Sequence, residues 1–377
     1  MHIAVLTHHW AYNFGANLQA LATQSYLNSL GHQVTILDYR PAGMVESLYS
    51  QVIDSQVEIH KTFCNIYLNQ SPRCESETDL IAFCQEAGFD AVLVGSDAVF
   101  RLARKPKRED QRFPNPFWLE WTRQLSSKPI IAALAASCMG TPFFLLPLSM
   151  QKGISQAVRH FNHITVRDQW TQWMIWWFNQ GRRKPLICPD PVNVLNEVYS
   201  LPDELTEAPR NNSKQYILLS FFKGMVSDLW LQDFIEIAHK QNLYVYSLPL
   251  PEQVVDVAVD KVIGLPLSPL TWFAWIQHAV GYVGVRFHAA VSAITNRVPF
   301  IAFDNYEWRS IRLTSKTYDL CKQAGVPEFC FNKRLREQLT PQQAFDLLFS
   351  DKQKIVNHYA SKANKRVKEA LPSLLTG

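Results

Sequence analysis

What most constrains the fold of this chain is a repeated couplet, a short apolar run followed by a stretch with apolar residues at helical spacing. Residues 3–7 read as a strand. Residues 17–30 read as a helix, with Leu18, Leu21, Ala22 and Leu30 broadly on one face and Gly31 as its stop. Residues 34–37 read as a second strand, ended by Asp38-Tyr39-Arg40-Pro41. A strand, a crossover helix and a second strand predict a parallel sheet with helices on its faces.

The couplet continues. Residues 44–88 read mostly as helix, residues 91–94, 130–134 and 163–166 as strands, and residues 169–178 as a helix. In Cys188-Pro189-Asp190-Pro191-Val192, two prolines exclude a continuing helix and predict an extended exit from this half. Residues 201–214 are polar, carry Pro202 and Pro209, and read as a linker. A second rhythm follows, with strands at 216–220, 243–248, 280–285 and 299–303 and helices at 228–239, 269–278 and 287–295. The charged stretch 341–371 reads as helix. The expected fold class is α/β, with two Rossmann-like domains facing across a cleft. Residues 1–200 form the first domain and residues 214–340 the second. Residues 341–377 form a helical tail packing back across both. In open parallel sheets ligands sit at the carboxyl ends of strands and at helix N-termini, so the residues just after each strand are the candidates for chemistry.

Composition narrows the classes. The 377 residues are 47% hydrophobic and 19% charged, which excludes wholesale disorder. A net charge of +4 argues against a dedicated nucleic-acid binder and leaves room for local basic patches. No apolar stretch approaches the roughly 18 residues of a membrane span, and the first apolar run is too short for a signal sequence. The seven cysteines are odd in number and scattered, with no Cys-x-x-Cys, so a reduced cytoplasmic chain with no bound metal is expected. Two features leave a polyanionic acceptor or peripheral membrane association open. One is the basic run Arg101, Arg104, Lys105, Lys107, Arg108 and Arg112; the other is Trp170, Trp173, Trp176 and Trp177 at roughly helical spacing. The plainer readings are a solvated loop and a buried aromatic face. The sequence sets no oligomeric state.

Four strand ends stand out. In the first turn Gly15 allows close backbone approach and Asn17 can cap the helix, the alternative being a plain turn. Gly95-Ser96-Asp97 offers a hydroxyl and a carboxylate for sugar hydroxyls, or a helix cap. Arg167-Asp168 places an arginine where a carboxylate or phosphate would sit, or an ion pair between turns. Gly284-Val285-Arg286-Phe287-His288 opens an apolar helix, so Arg286 and His288 both fall near an anion-binding helix N-terminus. A histidine there can move protons near neutral pH.

Taken in order, these segments resemble the polysaccharide pyruvyl transferase family. Asn13-Phe14-Gly15-Ala16-Asn17-Leu18-Gln19 is similar to its N-terminal signature, Gly95-Ser96-Asp97 to its glycine-serine-aspartate motif, and Ala136-Ser137-Cys138-Met139-Gly140 to its alanine-serine-x-x-glycine segment. Arg167-Asp168, Pro189-Asp190-Pro191, Arg286-Phe287-His288, Pro299-Phe300 and Ser310-Ile311-Arg312 complete the series. The family commonly continues its aspartate with glutamine and then tryptophan, where this chain has Ala98 and Phe100. The resemblance implies a glycosyltransferase-B-like fold and transfer of pyruvate from phosphoenolpyruvate to a hydroxyl pair of a sugar or glycan acceptor, with no cofactor beyond that donor. It implies residues 1–200 on the acceptor side and residues 214–340 on the donor anion side, with His288 as acid/base or anion ligand and Asp97 or Asp168 as the group acting on the acceptor. Arg167, Arg286 and Arg312 would hold the donor anion, with Gly15, Asn17, Gln19, Gly95, Ser96 and Ser137 at the substrates. A nucleotide-sugar glycosyltransferase and a non-catalytic glycan-binding protein are the competing readings on the same fold.

Overall fold

A computed structural model describes residues 1–41, 51–253, 257–304 and 314–376. Among the described residues, twelve strands form two six-stranded sheets, and every pairing between them is parallel. The first sheet holds β1 (His2–Leu6), β2 (Gln33–Ile36), β3 (Ala91–Asp97), β4 (Ile130–Ala136), β5 (His163–Val166) and β6 (Leu186–Ile187), in the spatial order β2-β1-β3-β4-β5-β6. The second holds β7 (Tyr216–Ser220), β8 (Tyr244–Ser247), β9 (Lys261–Val262), β10 (Gly281–Gly284), β11 (Phe300–Phe303) and β12 (Cys330–Phe331), in the order β12-β11-β10-β7-β8-β9. Strands such as Ala91-Val92-Leu93-Val94 are buried along their whole length because helices cover both faces of the sheet, which is why they read as continuous apolar runs.

Strand order reverses once in each sheet, between β1 and β3 and between β7 and β10. At each reversal the connections leave in opposite directions and open a crevice beyond the carboxyl ends of the strands. The helices Phe14–Ser29 and Phe287–Thr295 start at these crevices. The apolar core is continuous between the halves, and Phe14 stacks on Trp272 with ring centroids 5.2 Å apart. The helix Gln353–Ser373 spans both halves. Val356, Tyr359, Ala363, Val367 and Leu371 are buried in that shared core, and Lys368 pairs with Glu197 at 2.6 Å.

Three expectations need correction. Asn13 caps the first helix, its carbonyl oxygen accepting from the Gly15 and Ala16 amides at 3.0 and 3.3 Å, whereas Asn17 lies inside the first turn with its side chain buried. The stretch read as linker contains the helix Asp203–Arg210, started at Pro202 and tolerating Pro209 in its last turn. The exit at Pro189 to Pro191 is extended only as far as Asp190, whose carboxylate then caps the short helical turn Pro191–Val194. Arg312 and its neighbours Ser310 and Ile311, like residues 44–50 of the stretch read as helix, lie outside the described residues.

Candidate active site

The carboxyl ends of the two sheets converge on a cavity of about 330 Å³. Its lining includes Asn13, Phe14 and Gly15 from the first helix, Met139, and Arg286, His288, Asp304 and Lys316 from the second half. The wall is mostly apolar with a few convergent charges, as small-molecule sites usually are.

His288 is the point at which the halves meet. Its ring lies directly over Gly15, where a β-carbon would come within 2.0 Å of His288 Cγ. Only glycine fits there, so Gly15 acts through close approach and not through turn geometry. On its other side, His288 Nε2 lies 3.4 Å from Arg167 Nη1 and 3.4 Å from Asp190 Oδ2. Arg167 donates to Asp190 at 2.6 Å and to Asp97 at 3.1 Å, and its guanidinium lies 4.4 Å from the centre of the Phe287 ring. An arginine and the carboxylate of Asp190, both buried, and the partly exposed carboxylate of Asp97 thus form a network behind the histidine. Burial pushes Asp190 up, but the His288 hydrogen bond and the nearby charges outweigh it and hold the carboxyl at about 2. Burial likewise opposes ionisation of Asp97, yet Lys316 and Arg167 hold it well below the usual carboxylate range. For Arg167 burial is outweighed by Asp190 and Asp97, so it stays charged.

The second helix opens toward the cavity with no side-chain cap, and its first-turn amides are the donors that anions use. Arg286 precedes it at φ 84°, a conformation that costs a non-glycine residue energy and is concentrated at functional sites. Arg286 pairs with Glu252, and its guanidinium lies 5.4 Å from the centre of the Phe222 ring. Lys316 also lines the cavity, and no carboxylate among the described residues lies within 4.0 Å of it. Burial pulls its ammonium below the usual lysine value, against the opposing pull of Asp97. The site therefore gathers an uncapped helix N-terminus, a partly neutralised arginine and a lysine with no carboxylate partner among the described residues. That is chemistry for an anion bearing phosphate or carboxylate groups. Among the described residues, no group of three His, Cys, Asp or Glu is placed to hold a metal ion.

The remaining sequence candidates sit one layer back. Gln19 accepts from the Ser96 amide at 3.0 Å and donates to Thr7 Oγ1 at 2.8 Å, tying β3 to β1 at the crevice. The Ser96 hydroxyl donates to the Ala135 carbonyl at 3.2 Å and lies 3.4 Å from Asp190. At Gly95, φ 113° and a β-carbon position 2.2 Å from the Leu134 carbonyl oxygen both require glycine. Asn17 donates to the His9 carbonyl at 2.6 Å and meets His60 Nδ1 at 2.7 Å, while burial drives His60 down to about 3. Asp168 caps the helix Gln169–Phe178 and accepts from Ser137 Oγ at 2.6 Å. Neither Asp168 nor Ser137 lines the cavity. Sequence reasoning left out Asp190 and Lys316 as site residues. Asp190 carried a signal, standing between two prolines directly after a strand; Lys316 carried none, because no strand end precedes it.

Fold and site together define a protein of the GT-B-like class, two parallel α/β sheets with a cleft between their carboxyl ends. Three solved structures illustrate the likeness. Spinosyn forosaminyltransferase SpnP is 13% identical with a TM-score of 0.51, covering 100% of this chain and 99% of its own. UDP-GlcNAc 2-epimerase from Neisseria meningitidis, bound to UDP-GlcNAc, is 10% identical with a TM-score of 0.54, covering 100% and 99%. Arabidopsis thaliana UGT89C1, complexed with UDP-L-rhamnose, is 10% identical with a TM-score of 0.54, covering 100% and 99%. At these identities the likeness is one of fold. No curated protein matches the chain in sequence. The sequence model of the polysaccharide pyruvyl transferase family matches residues 13–306, and the chain belongs to that family.

Proposed function

We propose that this protein transfers pyruvate from phosphoenolpyruvate to two hydroxyls of a sugar in a glycan or glycan precursor, forming a cyclic ketal. Family membership supports a transferase. The observation that carries the donor is the cationic wall of the cleft, where Arg286, Lys316 and the uncapped N-terminus of the helix Phe287–Thr295 suit a ligand with a phosphate and a carboxylate.

In this reading the donor's methylene carbon takes a proton and the adjacent carbon becomes electrophilic. The two acceptor hydroxyls form two carbon–oxygen bonds there, and the bond to the phosphate oxygen breaks. Of the two hydroxyl protons, one balances the new methyl group and the other leaves with phosphate. His288 is the acid/base, held in one orientation by Gly15 on one side and Asp190 on the other. Asp97, kept ionised beside Arg167, accepts a hydrogen bond from an acceptor hydroxyl and orients it; with so low a proton affinity it is a poor base. Arg167 stabilises both carboxylates from behind, Asp168 and Ser137 hold the loop after β4, and the reaction takes place in the cytoplasm.

Thermal-shift titration tests the donor. Binding to the native state alone stabilises by RT ln(1 + [L]/Kd), about 2.7 kcal/mol at 100-fold saturation. Phosphoenolpyruvate is expected to raise the melting temperature, and Lys316→Ala and His288→Ala to weaken the shift. A shift with UDP-sugars and none with phosphoenolpyruvate would replace this reading with a nucleotide-sugar glycosyltransferase.

A further inference from the structure

Outside the cleft, the first half carries an apolar surface of unusual composition. Leu148 is 82% exposed, Leu145 and Trp177 are each 56% exposed, Phe144 is 48% and Trp176 is 43%. These residues belong to the turn Phe143–Leu145, the start of the helix Leu148–Val158, and the helix Gln169–Phe178, which packs against it. Ring contacts tie them together, with Phe143 lying 6.3 Å from Trp177 and Phe144 6.3 Å from Trp170. The tryptophan run is therefore only half a core stripe, since Trp170 is buried while Trp176 and Trp177 face outward.

Along the chain segment that carries this surface, the charges are nearly all of one sign. From Trp121 to Pro189 the sequence contains a single carboxylate, Asp168, and it is buried in its helix cap. Lys152, Arg159, Arg182, Arg183 and Lys184 are all exposed over the same stretch. Lys322 of the second half is exposed as well, and donates to Gln169 at 3.1 Å. Protruding tryptophan, phenylalanine and leucine beside an excess of cations is the pattern of a face that lies on an anionic bilayer: the apolar side chains enter the headgroup boundary and the cations meet the lipid charge. A second copy of the same face would bring like charges together. Among the described residues no helix is long and apolar enough to cross a membrane, so the attachment is peripheral.

We infer that this face, built on Phe144, Leu145, Leu148, Trp176 and Trp177 and flanked by Arg182, Arg183 and Lys184, docks the protein on the surface of an anionic lipid bilayer. Met139, five residues before Phe144, lines the cleft, so a short stretch of chain joins the face to the site. The inference does not depend on what the cleft catalyses.

Vesicle flotation of the full chain tests it, with phosphatidylcholine vesicles compared against vesicles containing phosphatidylglycerol. The expected result is flotation with the anionic vesicles alone, weakened by high salt. The triple variant Arg182→Gln/Arg183→Gln/Lys184→Gln should bind on the order of a hundredfold more weakly, about fivefold for each cation near the surface. Leu148→Gln/Trp177→Gln should abolish flotation, while its melting temperature stays near that of the parent because both side chains are exposed. Absence of flotation with anionic vesicles would overturn the inference. So would flotation undiminished in both variants, or a concentration-dependent dimer that Leu148→Gln/Trp177→Gln dissolves.

Discussion

The contact between Gly15 and His288 concentrates the molecule's logic in two residues. A glycine in the first turn of one helix lets the histidine of a facing helix close to ring contact, and the hydrogen of Gly15 fills the space that any side chain would need. Gly15→Ala is expected to push the ring away from Asp190. It should cost about 1–3 kcal/mol of stability from overpacking and, in our reading, on the order of a hundredfold in turnover, because a displacement near 1 Å is enough to spoil catalytic alignment. Retained turnover would show that the position of the His288 ring does not matter. Asp190 stabilises the same contact from behind. Asp190→Asn removes one of the two carboxylates paired with Arg167 and should destabilise by about 3–5 kcal/mol, the usual penalty for breaking a buried pair. Chemical denaturation at neutral pH measures it, and a loss below about 1 kcal/mol would contradict the role given to the pair.

At the scale of elements, the sequence was informative where a strand fills its length with apolar side chains and stops at a polar turn. Ala91-Val92-Leu93-Val94 before Gly95-Ser96-Asp97 is such a case, and so is the run before Arg286. The strands β6, β9 and β12 have two residues each, too few for any periodicity, and they pair at the sheet edges. The first helix cap was misread because Asn13 and Asn17 are equally good capping residues by type; burial and partners separate them, and those come from tertiary packing. The same limit applies to Asp319, which no motif marks. It accepts from the Gln169 amide at 3.1 Å and from Gln323 at 2.8 Å where the helix Lys316–Gln323 meets the first half. Burial pushes its carboxyl up to about 6. A folded value above the unfolded 3.9 means that the stability tied to this group is fully present below pH 4 and lost as pH rises through 6. Asp319→Asn should therefore gain on the parent as pH rises from 4 to 7, by about 3 kcal/mol at most. Parallel melting curves for parent and variant across that range would contradict the assignment.

Across the whole molecule, the two sheets share one core and are bridged by the helix Gln353–Ser373. The sequence showed a charged helical tail, because its cations and carboxylates occupy the outer face. The residues that insert into the core were not separable from the rest by pattern. Leu371, fully buried at the end of that helix, is a direct probe of the bridge. Leu371→Ala should cost about 2–5 kcal/mol and shift one cooperative transition. A separate early transition, with the rest of the chain melting as before, would mean that the tail is an appendage. The cleft that this arrangement holds together is where the functional account stands or falls. Its most direct test follows carbon-labelled phosphoenolpyruvate mixed with the enzyme and a panel of glycan acceptors. The account predicts one phosphate released for each label appearing in an acid-labile ketal on the acceptor, and neither product with His288→Ala. Phosphate release without transfer of label, or glycosyl transfer from a UDP-sugar in its place, would contradict it.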